Sequence, residues 1–294
     1  MDPRRRVRQF LSGGDADRPP FLAMATDYTA KLAQCSAGEL LADPVLFVRS
    51  FQESVAVLGL DAVVIEITAG QAAPAAAGGD PAGSTLAVLH EDLHRLRTTL
   101  LDRVALVALL PGPRTLCESL GATATPDAMD DLTAGLIRLQ EYLGPPGLDA
   151  IGLLERVRLG DADVPGLGQA TAALWNVARY YSLPSLLVAA EGTASLAAVG
   201  STAVAAWSGT GARDLLAAGA SAAGEPVPTD QAVTEPGSAA AVPGGSAVPP
   251  PARLAPLPAG GFYLTAGEIP PAWEVGAVRA LVRQATAADR KRHV

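Results

Sequence analysis

Short apolar runs recur along the chain, and each stops at a polar residue or a glycine turn. They cover Phe21–Asp27, Asp61–Thr68, Val104–Pro113, Leu148–Arg156, Ser185–Gly192, Ala203–Gly209 and Gly261–Gly267. Brief, almost continuously apolar runs suit the strands of a parallel sheet covered by helices. Helical patterns lie between most of them. Leu46, Phe47, Val48, Phe51, Val55 and Leu58 fall at near-helical spacing, with Asp43 as the expected N-cap, Pro44 in the first turn and Gly59 as the stop. Further helices are predicted from about Thr85 to Arg103, over Asp127–Leu143 and over Gly168–Tyr181. Strand and helix alternating through 294 residues predict an α/β chain folded as one TIM (β/α)8 barrel, which takes about 250 residues plus tails.

Three segments depart from that rhythm. Residues 1–20 read as an N-terminal arm. Residues 69–84, rich in alanine and glycine, read as a loop directly after the second strand, on the face where such barrels carry their chemistry. Residues 217–258 form a low-complexity insertion within the barrel, with too few large apolar side chains to offset the entropy of ordering. The seventh strand should fall there, so either a poorly marked strand hides in it or the barrel is irregular near strand seven.

Composition narrows the function classes. Apolar residues make up 49% of the chain and aromatics only 4%, so alanine, leucine and valine must fill the core. The formal net charge of −8 argues against a broad nucleic-acid footprint, which needs a positive patch. The one basic cluster, Arg4, Arg5, Arg6 and Arg8, reads as a solvated, frayed terminus, with an anion contact near the barrel mouth as the second reading. Cys35 and Cys117 show no paired spacing and are expected as free thiols in a reducing, cytoplasmic compartment. No apolar stretch follows the N-terminal arginines, so no secretory signal is expected. Leu186–Trp207 is long and apolar, but Glu191, Gly192 and Gly200 interrupt it, which favours strand, helix and strand over a membrane span.

The segment DYTAKLAQCSAGELLADPVLFVRSFQESVAVLGLDAVVI over residues 27–65 resembles the first strand-to-strand unit of the uroporphyrinogen decarboxylase family. The branch it is most similar to contains the cobalamin:coenzyme M methyltransferases. LPGPRTLCESLGA (110–122), GLDAIGLLER (147–156), LPSLLVAAEG (183–192) and GGFYLTAGEIPPAW (260–273) match that family in order and spacing. The resemblance implies a TIM barrel. In the methyltransferase branch it also implies a zinc held by a His-x-Cys-Gly turn and a later cysteine. Here Ala189 stands at the histidine position, Glu191 at the first cysteine and Gly267 at the second, so no metal or other cofactor is expected. The decarboxylase branch holds substrate carboxylates on an arginine-rich signature after strand one. This chain has Ala25, Thr26, Asp27 and Tyr28 there, and Glu66 near the place of that branch's strand-two aspartate.

Chemistry is therefore sought among the polar residues at strand ends. Glu191, Glu66 and Tyr28 are the catalytic candidates: two carboxylates for acid–base work and a hydrogen-bond donor. Arg114 offers a planar fork for an anion, with Asp27, Lys31, Glu155, Glu268 and Trp207 as further substrate contacts. Each has a plainer reading. Asp27 and Lys31 are four apart and suit a helical ion pair. Glu155 and Arg156 suit a surface pair past the strand. Glu66 faces inward or into helix packing, and Trp207 suits the core. His90 and His94 suit a solvated helix face, while Asp61 and Asp149, before their strands, suit a stabilising role at the barrel bottom. The leading functional expectation is a metal-independent lyase of decarboxylase type, or a transferase, on a small carboxylate-bearing molecule. A catalytically silent binding barrel and a corrinoid-linked methyltransferase lacking zinc are the alternatives. A homodimer and a corrinoid protein are the candidate partners, and neither nucleic acid nor membrane is expected.

Overall fold

Eight parallel strands pair in sequence order, and the first also pairs with the eighth, closing a barrel. They are β1(Phe21–Met24), β2(Ala62–Glu66), β3(Ala105–Pro111), β4(Ala150–Arg158), β5(Ser185–Glu191), β6(Ala203–Ala206), β7(Ala222–Val227) and β8(Gly261–Glu268). The helices are α1(Pro3–Leu11), α2(Thr26–Leu32), α3(Ala37–Ala42), α4(Pro44–Leu58), α5(Ala69–Ala76), α6(Leu86–Leu100), α7(Pro113–Ser119), α8(Pro126–Leu143), α9(Val164–Tyr180) and α10(Val275–Ala287). This computed structural model describes residues 1–83, 86–101, 103–144, 147–206, 215, 220, 222–227, 261–269 and 271–287.

Alternation along each strand divides the core in two. Val63, Ile65, Leu106, Ala108, Ile151, Leu153 and Leu187 face outward and pack with the helices. Leu22, Met24, Val64, Val107, Leu109, Leu154, Leu186, Val188, Phe262 and Leu264 fill the interior. The inward faces of β2, β3, β4 and β6 begin with alanine, at Ala62, Ala105, Ala150 and Ala203. These small residues leave room at the floor, and α1 fills it with Val7, Phe10 and Leu11. Phe10 meets Phe262 edge-to-face, with ring centroids 6.4 Å apart.

The first residues are therefore a plug, which corrects the expectation of a frayed arginine cluster. Asp61, immediately before β2, accepts from Arg6 at 2.8 Å, from both Arg18 terminal nitrogens at 2.6 Å and from the Phe21 amide at 3.1 Å. Asp149, immediately before β4, accepts from Arg4 at 2.6 Å, the Leu106 amide at 3.0 Å and Arg97. Both aspartates are at most 1% exposed. A buried carboxylate is tolerable only with such partners, and the partners come from α1, α6 and the segment before β1.

The helix expected over 44–58 has the expected ends. The Asp43 carboxylate accepts from the Val45 and Leu46 amides at 2.9 and 3.1 Å, and Gly59 closes it in the left-handed region at φ 73°. The loop expected over 69–84 begins instead with α5. Thr68 and Gln71 cap each other's backbone in a capping box, and alanines with high helix propensity follow. Gly135 of α8 lies so close to α5 that an added Cβ would come within 2.3 Å of the Ala76 Cα. The seventh strand, β7, does lie within the low-complexity insertion. Its sequence AAGEPV carries little strand signal, but β6 and β8 pair with it from both sides. Among the described residues no helix is long and apolar enough to cross a membrane.

Candidate functional site

Parallel pairing brings every strand's C-terminal end to one rim. Glu66 ends β2, Arg114 lies in the first turn of α7 after β3, and Glu191 ends β5. All three expected residues therefore belong to that rim, yet each engages a different partner. Those partners come from β4 and the turn after it, a role that sequence reasoning missed.

β4 runs past its apolar part as Leu154, Glu155, Arg156, Val157 and Arg158. Leu154 lines the interior, so Arg156 follows on its face and Glu155 points the other way; the register against β5 then shifts before Arg158, which pairs with Glu191. Arg156 grips the Glu66 carboxylate bidentately, with its terminal nitrogen 2.6 and 2.5 Å from the two oxygens and Nε at 3.1 Å. β3 lies between these strands, so the pair spans part of the mouth. Arg158 pairs with Glu191 at 3.1 Å, and Arg114 pairs with Asp163 in the turn before α9. The signal for Arg156 was present: it lies two residues after Leu154 and continues the strand's inward face.

Glu155 is fully buried and does not form a surface pair. Its carboxylate accepts from the Arg114 amide at 3.1 Å, the Thr115 amide at 2.8 Å and the Thr115 hydroxyl at 2.6 Å. It thus caps the start of α7, where exposed amides favour an anion. Burial pushes its pKa up, while the Thr115 and Arg114 hydrogen bonds pull against that shift. Thr115 Oγ1 in turn accepts from the Arg156 amide at 2.8 Å. The hydroxyl therefore links the buried cap to the strand that presents Arg156. Beyond β4, Asp161 accepts from the Thr193 and Ser195 hydroxyls, both at 2.6 Å, and ties this turn to the segment after β5. These hydroxyls, Ser195 first, hold its carboxyl below the usual range.

The residues after β1 have other work, which corrects their expected roles. Tyr28 is fully buried, and its hydroxyl donates to the Trp273 carbonyl at 3.0 Å. Burial, with a smaller contribution from Glu274, pushes its pKa up to about 12. Lys31 donates to the same carbonyl at 2.7 Å and lies over the Tyr28 ring, 5.1 Å from its centroid. Lys31 thus turns to Trp273 rather than to Asp27 one turn earlier. Together they fasten α2 to the chain after β8. Asp27 sits half-buried in the first turn of α2, its pKa raised by burial. Glu268 ends β8 in register with Met24, and its side chain falls outside the described set. Trp207 lies outside the described residues.

The donors that zinc would need are missing here. The Ala189 methyl is buried against the helix layer, and Glu191 is engaged by Arg158. His90 and His94 are on the outer helix α6, where His90 stacks on Tyr142 at 4.5 Å. Cys35 and Cys117 are free thiols. Among the described residues no group of three or more His, Cys, Asp or Glu is placed to hold a metal ion. The side chains present do not fit the resemblance's zinc site.

No protein-family model matches the chain, and no curated protein does. Among solved structures it is similar to a methyltransferase from Methanosarcina mazei, at a TM-score of 0.72 and 16% identity, over 100% of each chain. At that identity the likeness is one of fold: a parallel barrel matched from end to end.

Proposed function

We propose that this barrel holds a small carboxylate-bearing molecule at its C-terminal mouth and acts on it as a group-transfer enzyme of the methyltransferase kind. The observation that carries this reading is the bidentate Glu66–Arg156 pair, with both side chains on the inward faces of their strands. The interior below it is apolar, so these charges add nothing to packing. The guanidinium fork that grips Glu66 has the geometry to grip a ligand carboxylate. A ligand that takes Arg156 releases Glu66, which then becomes available to accept or hold a proton. Arg158 and Glu191 form a second, more exposed ion pair at the rim. The similar barrel is a methyltransferase, which supports transfer chemistry and lends no support to decarboxylation. No step is assigned to zinc, and a corrinoid protein docked on the rim is the methyl donor this reading calls for.

A silent binding barrel is the second reading. It is favoured by the internal neutralisation of Glu66, Arg114 and Glu191. A calorimetric screen of small carboxylates, followed by two variants, separates the readings. Arg156→Gln should weaken binding by about tenfold or more, since it removes a charge-assisted bidentate contact. Glu66→Gln should tighten binding, since it removes the internal competitor, and should abolish turnover. Binding without turnover in the wild type, with or without added corrinoid protein, selects the silent barrel. Binding indifferent to Arg156 removes the mouth site altogether.

A further inference from the structure

The opposite end of the barrel carries a second arginine-lined hollow that the mouth chemistry does not use. It has a volume of about 510 Å³ and is lined by Arg4, Arg5, Arg8, Gln9, Ser12 and Ser182. All but Ser182 come from α1 and its C-cap, and Ser182 follows α9.

Helix α1 is built against its own electrostatics. Arg4, Arg5 and Arg6 fall in its first turn, where the positive end of the helix dipole disfavours cations. Arg4 and Arg8 are like charges one turn apart. Two of these arginines are compensated by buried acids, Arg4 by Asp149 and Arg6 by Asp61. Arg5 and Arg8 form no ion pair with a described carboxylate. Asp2 also borders the hollow, with its carboxylate on the Arg5 amide at 2.7 Å as the N-cap. Arg8 donates to the Ser182 carbonyl at 3.1 Å. Ser182 holds a φ of 55°, a left-handed conformation that a serine seldom adopts. Uncompensated arginines gathered on a concave surface of an acidic chain call for a counter-charge from outside.

We propose that this floor hollow binds a phosphate-type oxyanion, either free or as the terminal group of a small phosphate ester. Phosphate suits it better than carboxylate. Three arginines and two serines line one open hollow, and a tetrahedral anion offers three or four acceptor oxygens to such donors where a carboxylate offers two. The site is separate from the mouth, because α1 and the filled barrel interior lie between them.

Isothermal titration of the whole chain at low ionic strength tests the assignment, with inorganic phosphate, pyrophosphate and phenyl phosphate as probes. Binding with a dissociation constant on the order of 1 mM or tighter is expected for at least one probe, weakening as salt rises. Arg5→Gln and Arg8→Gln should each weaken it by about tenfold, without lowering the thermal midpoint of the free protein. Arg156→Gln at the mouth should leave it unchanged. Preference for phenyl phosphate identifies an ester, and preference for the inorganic ions identifies free anion. The proposal is overturned by the absence of binding with all three probes, by affinity that survives the Arg5→Gln/Arg8→Gln double variant, or by affinity lost through Arg156→Gln instead.

Discussion

Two buried carboxylates show how much depends on a residue's immediate partners. Asp92 of α6 is 1% exposed, and neither of its oxygens has a hydrogen-bond partner. Burial pushes its pKa up to about 6, against an ordinary value of 3.8. The folded state thus binds this proton more tightly than the unfolded chain does. Stability is highest below pH 3.8 as far as this group is concerned, and declines as pH rises toward 6. The loss reaches up to about 3 kcal/mol above that window. Asp92→Asn should remove the decline. Urea midpoints should match wild type near pH 3.5 and exceed it at pH 8, and an equal gap at both values would refute the assignment. Glu155 is the contrasting case, since three donors hold it in place. The added methyl of Gly112→Ala would lie 2.1 Å from the Glu155 carboxyl carbon. That substitution should cost about 1–3 kcal/mol. The two sites should also couple strongly in a double-mutant cycle with Glu155→Ala.

At the scale of elements, helices with chemical punctuation were legible and strand ends were not. Asp43, Pro44 and Gly59 mark α4 in the sequence because each meets a purely local need. Asp43→Ala should accordingly lower stability by about 1 kcal/mol, read from urea unfolding. The end of β4 was harder to find. Glu155 and Arg156 are adjacent charges that read as a solvated pair, and only the continuing alternation shows that they face opposite ways. One joins the α7 cap and the other the mouth. Tyr28 and Lys31 looked like site residues for a similar reason. Their strand-end position is visible in the sequence, but the Trp273 carbonyl that engages both lies more than 240 positions away. The exposed Arg158–Glu191 pair is a function candidate with little structural weight. Glu191→Gln should leave the urea midpoint within about 0.5 kcal/mol of wild type.

At the scale of the molecule, the barrel has a polar rim and a closed floor. The floor depends on charges as much as on packing. Asp149→Ala would leave Arg4 and Arg97 without their buried partner, and should cost about 3–5 kcal/mol. Hydrogen exchange should quicken in α1 ahead of the outer helices. The sequence by itself determined the α/β class, the alternation of units, the ends of α4 marked by Asp43, Pro44 and Gly59, and the placement of Asp61 and Asp149 below their strands. These follow from local periodicity and capping, which act over a few residues. Only the tertiary structure decided that the first eleven residues seal the floor, that AAGEPV is a strand, and that Arg156 meets Glu66. In each case the deciding partner lies tens of residues away: an alanine-lined gap, two flanking strands, or a carboxylate 90 positions earlier. Nothing in the local pattern of a chain encodes which distant group will satisfy a buried hydrogen bond or charge.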